Sequence, residues 1–145
     1  MYQFLYDQNK ERLENTALNY FDNKISYKEF FDNVNCLVKS LYQNNIRQGD
    51  IVSIVSLGTP ETIYCIYALN RMGAVANLLT ANITSSELEQ NIIETKTKLL
   101  FVLDILADKI GEFNCQVPVI YLSISDSVRG IKKVFFSLKN ERRAA

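Results

Sequence analysis

Apolar residues along this 145-residue chain follow two periods in alternation, and that alternation predicts mixed α/β structure. Phe30, Phe31, Val34, Leu37, Val38 and Leu41 recur at steps of three and one, drawing an apolar stripe down a helix from Tyr27 to about Tyr42. Ser26 and Glu29 mark its start as a capping box: the Ser hydroxyl accepts from the third helical amide and the Glu reaches back to the Ser amide. Ile25 and Phe30 occupy the two staple positions around that cap. Gln43-Asn44-Asn45 ends the helix and Arg47-Gln48-Gly49-Asp50 turns the chain. Ile51-Val52-Ser53-Ile54-Val55 is then β-branched and almost wholly apolar, the composition of a central strand covered on both faces.

The same grammar repeats downstream. Thr59 as cap and Pro60 at the first helical position open a helix to about Met72, stopped by Gly73 in the left-handed conformation. That helix carries Ile63, Tyr64, Ile66, Tyr67 and Leu69 and is apolar on most sides. Residues 74–79 read as the next buried strand. Thr84 and Glu87 repeat the capping box, with Ile83 and Leu88 as staple, and open a helix to about Thr95. Residues 98–103 and 117–122 read as further buried strands, with Asp104 as a helix cap between them. Upstream, residues 2–14 predict a short helix using Phe4, Leu5 and Leu13. Residues 16–21 predict a strand folded back at Asp22-Asn23-Lys24 onto Ile25 as a small hairpin. A last amphipathic piece covers 128–138.

This order predicts an α/β fold: a mostly parallel, doubly wound sheet with helices on both faces, preceded by a small β-hairpin. The length suits one domain, with 16–50 as hairpin and first helix, 51–122 as parallel βα repeats and 123–145 as a terminal amphipathic segment.

Composition narrows the classes. Apolar residues make up 48%, too many for a disordered tail. Sixteen basic and sixteen acidic residues give a formal charge of zero, which removes the electrostatic case for a nucleic-acid binder. Histidine is absent, so Ser-His-Asp and Cys-His nucleophile pairs and His-ligated zinc are excluded within this chain. Cys36, Cys65 and Cys115 stand at no metal-ligand spacing and read as buried or half-buried thiols of a reducing compartment. No signal-peptide core is present at the amino terminus, and no run approaches the roughly 20 apolar residues that span a bilayer. A soluble, cytoplasmic location is expected.

Candidate chemistry is sparse. Ser56-Leu57-Gly58-Thr59-Pro60 lies between a buried strand and a helix start, where free amides attract anions. It has one glycine and loses one amide to Pro60, so it reads as a plain turn rather than a phosphate cradle. Asp104 ends a buried strand, where α/β folds place ligands, yet Asp50 and Glu61 make no adjacent acidic pair to hold magnesium with it. Tyr20, Tyr27, Tyr64 and Tyr67 read as packing residues, and Ser85-Ser86 and Ser125-Asp126-Ser127 as caps and turns. No residue is assigned a catalytic, cofactor-binding or metal role.

Several phrases in order resemble the adenylate-forming ligase superfamily of acyl- and aryl-CoA synthetases, luciferases and nonribosomal-peptide adenylation domains. Ile25-Ser26-Tyr27-Lys28-Glu29-Phe30 is similar to that family's first core motif, and Ile46-Arg47-Gln48-Gly49-Asp50-Ile51-Val52 to its Gly-Asp turn entering a strand. Thr59-Pro60-Glu61 stands where the family commonly has Ser-Pro-Glu, and 69–75 resembles its second core motif, Leu-Lys-Ala-Gly-Ala. The likeness runs over about residues 16–104. Leu78 and Ala81 depart from it by replacing common prolines.

The resemblance implies a complete enzyme that makes an acyl-adenylate and then usually an acyl-CoA thioester from a carboxylic acid, with ATP, magnesium and CoA. Its phosphate loop with Lys, its adenine and magnesium motifs and its small carboxyl-terminal domain would lie beyond residue 145. The expectation is an amino-terminal scaffold portion, partnered by the remainder of the ligase chain and inactive as a fragment. The alternative is a naturally short, non-catalytic α/β protein-interaction module; a phosphoacceptor domain ranks below both. An exposed sheet edge would also favour homo-oligomers.

Overall fold

In the computed structural model, which describes residues 1–114 and 116–123, a two-stranded hairpin precedes a four-stranded parallel sheet layered with helices. The elements are α1 (Tyr2–Asn9), β1 (Thr16–Tyr20), β2 (Asn23–Ser26), α2 (Tyr27–Gln43), β3 (Ile51–Val55), α3 (Pro60–Met72), β4 (Val75–Leu79) and α4 (Ser85–Thr95). β5 (Leu99–Leu103), a short 3-10 turn (Asp104–Leu106), α5 (Ala107–Ile110) and β6 (Val119–Leu122) follow.

The sheet order is β4-β3-β5-β6, with every neighbour parallel. β3 and β5 lie inside because their side chains are apolar on both faces, and all of β5 is buried. Right-handed crossovers put α3, joining β3 to β4, on one face and α4, crossing from β4 to β5, on the other. α2 packs across α3, and α1 docks on the same helix. On the other face, Lys109 of α5 donates from Nζ to Asn82 Oδ1 at 2.6 Å, tying α5 to the loop before α4.

Local chemistry sets the helix limits. The Glu29 amide donates to Ser26 Oγ and the Ser26 amide to the Glu29 carboxylate, both at 3.2 Å, completing the first capping box. In the second box the Thr84 amide donates to Glu87 at 2.8 Å, and the Glu87 amide to Thr84 Oγ1 at 3.3 Å. The Thr84 amide, helped by its hydroxyl, holds the Glu87 carboxyl below its ordinary range. α3 stops at Gly73, whose φ is +73° and whose added Cβ would sit 3.0 Å from Gln48 Cγ, so conformation and space both call for glycine. Lys98 Nζ meets Asp50 Oδ2 at 2.9 Å and clips the amino ends of β3 and β5 together. Lys98, with the Arg47 amide, lowers the Asp50 carboxyl.

One polar chain crosses the apolar interior. Asn77 Nδ2 donates to Ser53 Oγ at 2.9 Å and to Asn91 Oδ1 at 2.7 Å, and Ser53 Oγ meets Thr97 Oγ1 at 2.5 Å. Thr95 Oγ1 closes it, at 2.7 Å from both Thr97 Oγ1 and the Asn91 carbonyl. Ser53 and Asn77 stand opposite each other in the β3–β4 register, so a one-residue slip would strand both polar groups.

The structure corrects five expectations. α1 ends at Asn9 rather than near residue 14, and Phe4 is 72% exposed; Tyr2 is its buried residue instead, held by its amide to Asn70 Oδ1 at 2.9 Å and by Arg71 over its ring. The hairpin turns at Phe21-Asp22, both at positive φ, not at Asp22-Asn23-Lys24, because left-handed residues match the twist of a two-residue turn. β4 is an edge strand, not a buried one, with Val75 and Leu78 exposed. Cys36 is exposed, since it falls on the side of α2 opposite the apolar stripe. Asp104 is the first residue of the 3-10 turn and caps no helix; its carboxylate takes the next amide, Ile105, at 2.8 Å. The amphipathic piece at 128–138 lies outside the described residues.

Candidate functional site

Connections leave β3 toward β4 on one side and β5 toward β6 on the other, so the crevice of this sheet opens between the carboxyl ends of β3 and β5. The β3–α3 loop and the start of α3 form one wall, and the residues after β5 form the other.

The loop is closed on itself. Thr62 Oγ1 lies 2.5 Å from Ser56 Oγ and donates to the Leu57 carbonyl at 2.9 Å. Thr59 Oγ1, buried, accepts from the Thr62 amide at 3.4 Å as the α3 cap. The Thr59 amide donates to the Leu57 carbonyl at 2.8 Å, and Pro60 has no amide to offer. Glu61, buried in the first turn of α3, brings its carboxylate to the positive end of that helix. The Ser56, Thr59 and Thr62 hydroxyls and the Thr59 amide are thus already engaged, and a buried carboxylate in the first turn of α3 weighs against an anion there. Gly58 has no positive φ and open space around an added Cβ, so it makes no glycine-dependent cradle.

The other weighed residues are dispersed. Asp104 is exposed at the carboxyl end of β5, whereas Asp50 precedes the amino end of β3, paired with Lys98. These two aspartates therefore bracket the sheet from opposite ends and share no site. Among the described residues no cluster of three His, Cys, Asp or Glu could hold a metal ion. Burial pushes the Tyr64 hydroxyl up to about 12, against the pull of Asn33 and with the Glu61 charge adding to the rise, so Tyr64 stays protonated. Burial, reinforced by Glu61, likewise raises the Cys65 thiol and keeps it from acting as a thiolate nucleophile. Tyr20, Tyr27 and Tyr67 are half-buried, with Tyr27 against Phe31 and Tyr67 edge-on to Phe30. Ser85 and Ser86 open α4 behind its Thr84 cap, and Ser125-Asp126-Ser127 lies outside the described residues.

Sequence reading missed the Ser53–Asn77–Asn91–Thr97 chain and the Tyr2 clasp. The first had a signal: one polar residue at the middle of each of two successive apolar strands. The second had none, since Tyr2 and Asn70 are far apart in sequence.

No helix among the described residues is long and apolar enough to cross a membrane. Against known proteins, the chain is 34% identical over 92 residues to the 2-succinylbenzoate–CoA ligase of Oceanobacillus iheyensis, covering 63% of this chain and 19% of that relative. It is 29% identical over 85 residues to the acetyl-coenzyme A synthetase of Brucella canis, covering 59% of this chain and 13% of that one. The chain therefore spans under a fifth of these curated relatives. In fold it superposes on the crystal structure of VinN with a TM-score of 0.75 at 19% identity, over 90% of this chain and 34% of that one. A benzoate CoA ligase from Burkholderia xenovorans gives 0.76 at 13% identity, over 83% and 25%. These likenesses match the parallel sheet, and the model of the family described as AMP-binding enzyme matches residues 5–139. The chain belongs to the AMP-binding enzyme family.

Proposed function

We propose that the chain is the amino-terminal scaffold portion of an ATP-dependent carboxylic-acid:CoA ligase and performs no adenylation by itself. The family match over 5–139 carries this reading, and the CoA ligases among the sequence relatives support it. The β3–α3 loop is a poor fit for a nucleoside triphosphate: it has one glycine, its Thr59 amide and its Ser56, Thr59 and Thr62 hydroxyls are engaged, and a carboxylate is buried in the first turn of α3. No step through ATP, magnesium or CoA is therefore assigned to this chain. What its residues do is hold a sheet: α2 and α3 fix one face, α4 the other, and the polar chain through Asn77 fixes the register. The remainder of the ligase chain is its partner in this reading, and a carboxylic acid is the substrate class of the whole enzyme.

The reading frame beyond residue 145 tests this. A continuing frame that runs into a Gly/Ser/Thr-rich loop ending in Lys is expected. An immediate stop codon would overturn the ligase reading in favour of a short, non-catalytic interaction module.

A further inference from the structure

α1 has little to hold it along its length. It runs for eight residues, shorter than the roughly 12–15 below which an isolated helix is marginal in water. Met1 at its cap offers no side-chain oxygen, its first turn has no acidic residue and its last turn no basic one. Gln3, Phe4, Tyr6, Asp7 and Gln8 are exposed, and Tyr2 is its one buried residue. Beneath its middle, Leu5 borders a cleft of about 120 Å³ shared with Leu18, Phe30, Ile63 and Tyr67, so the helix is incompletely packed there.

The hold is concentrated at the two ends. At the amino end Asn70, from α3, supplies the missing cap: its Oδ1 accepts from the Tyr2 amide at 2.9 Å. The Tyr2 hydroxyl donates to Asn35 Oδ1 at 3.2 Å, the Arg71 guanidinium lies 4.8 Å from the Tyr2 ring centroid, and that ring meets Phe31 edge-on at 5.8 Å. All four contacts are made by Tyr2. At the far end the chain is pinned just beyond the helix, where the Leu13 and Asn15 carbonyls accept from the Lys28 and Tyr27 amides, both at 2.9 Å. Those are first-turn amides of α2, so this pin holds without α1.

We infer that α1 is a strap that opens as a unit, with Tyr2 as its latch and residues 10–12 as its hinge, while the hairpin, α2, α3 and the sheet stay folded. Opening withdraws the Tyr2 and Tyr6 rings from Phe31 and lifts Leu5 off the cleft at Phe30 and Tyr67. Because the Tyr2 contacts converge on one side chain, they are lost together, and the strap has a closed and an open state rather than a graded fraying. The strap is a property of the 145-residue chain by itself and stands independently of the ligase reading.

Native-state hydrogen exchange of the 145-residue chain across a series of urea concentrations tests it. The Leu5 and Lys10 amides donate to the Met1 and Tyr6 carbonyls and so report on α1. They should be protected at least roughly a hundredfold less than the Val34 and Leu37 amides of α2, and their protection should fall less steeply with urea, since a small opening exposes little surface. Tyr2→Ala should lower the α1 protection roughly tenfold or more, and Tyr2→Phe by less. Phe4→Ala, at an exposed site of the same helix, should change it by no more than about twofold. Leu5 and Lys10 amides that share the protection and urea dependence of α2 would overturn the proposal, because α1 would then open only with the whole molecule. So would a Tyr2→Ala chain whose α1 amides keep their protection, or one that circular dichroism shows to be unfolded, since Tyr2 would then hold more than a strap.

Discussion

Phe30→Ala is expected to cost about 3–5 kcal/mol of unfolding free energy, the largest single-residue loss in the molecule's helical layer. Phe30 is 2% exposed and serves at once as staple for the α2 cap and as the knob between α2 and α3. Its ring centroid lies 5.6 Å from those of Phe31 and Tyr64 and 5.2 Å from that of Tyr67, with edge-to-face or tilted geometry throughout. Truncation leaves a cavity ringed by rigid aromatics that cannot collapse into it, so the transfer and cavity costs add. A domain of this size typically holds about 5–15 kcal/mol in total, and the variant should therefore sit near the edge of folding. Urea titration should show a lower midpoint at an unchanged slope, with Phe30→Leu retaining most of the stability. A loss below about 1 kcal/mol would mean that α2 is not anchored through this ring.

Asn77→Asp is isosteric and should nevertheless cost about 3 kcal/mol at neutral pH, through one atom. Asn77 Nδ2 is a donor shared by Ser53 Oγ and Asn91 Oδ1, and an aspartate would offer both an acceptor. The carboxylate would face the Asn91 oxygen in a part-buried site, which raises its folded-state pKa above the unfolded value. The sign follows: the charged form is penalised, so the penalty is full above the raised folded-state value, fades as pH falls through that value and is gone below the ordinary Asp range near 4. Asn77→Leu removes both hydrogen bonds without adding a charge, and its loss should be smaller and independent of pH. Denaturation midpoints of the two variants at neutral and acid pH check this; a pH-independent deficit in Asn77→Asp would refute the electrostatic account.

Much of this architecture was legible because local chemistry agreed with the global fold. Both capping boxes, the Thr59-Pro60 start and the Gly73 stop are written in residues within a turn of one another, and each forms as read. The inner strands were legible from apolar runs in β3 and β5, since burial on both faces leaves no other composition. β4 was misread for the same reason: its apolar run reports what the strand prefers, whereas its edge position depends on which strands sit beside it. Phe4 and Tyr2 show the limit of periodicity on a short helix, where a single distant partner, Asn70, decides which side faces in. At the candidate site, the one-glycine count already argued against a phosphate cradle. That Glu61 is buried at the start of α3 could not be read, because acidic residues in a first helical turn are commonly exposed.

The central claim is that this segment is family scaffold without the family's nucleotide site. Isothermal titration of Mg·ATP into the folded 145-residue chain tests it most directly. No saturable heat is expected into the millimolar range, because the Thr59 amide and the Ser56, Thr59 and Thr62 hydroxyls of the β3–α3 loop are engaged and Glu61 buries a carboxylate in the first turn of α3. Saturable binding with a micromolar Kd would contradict it.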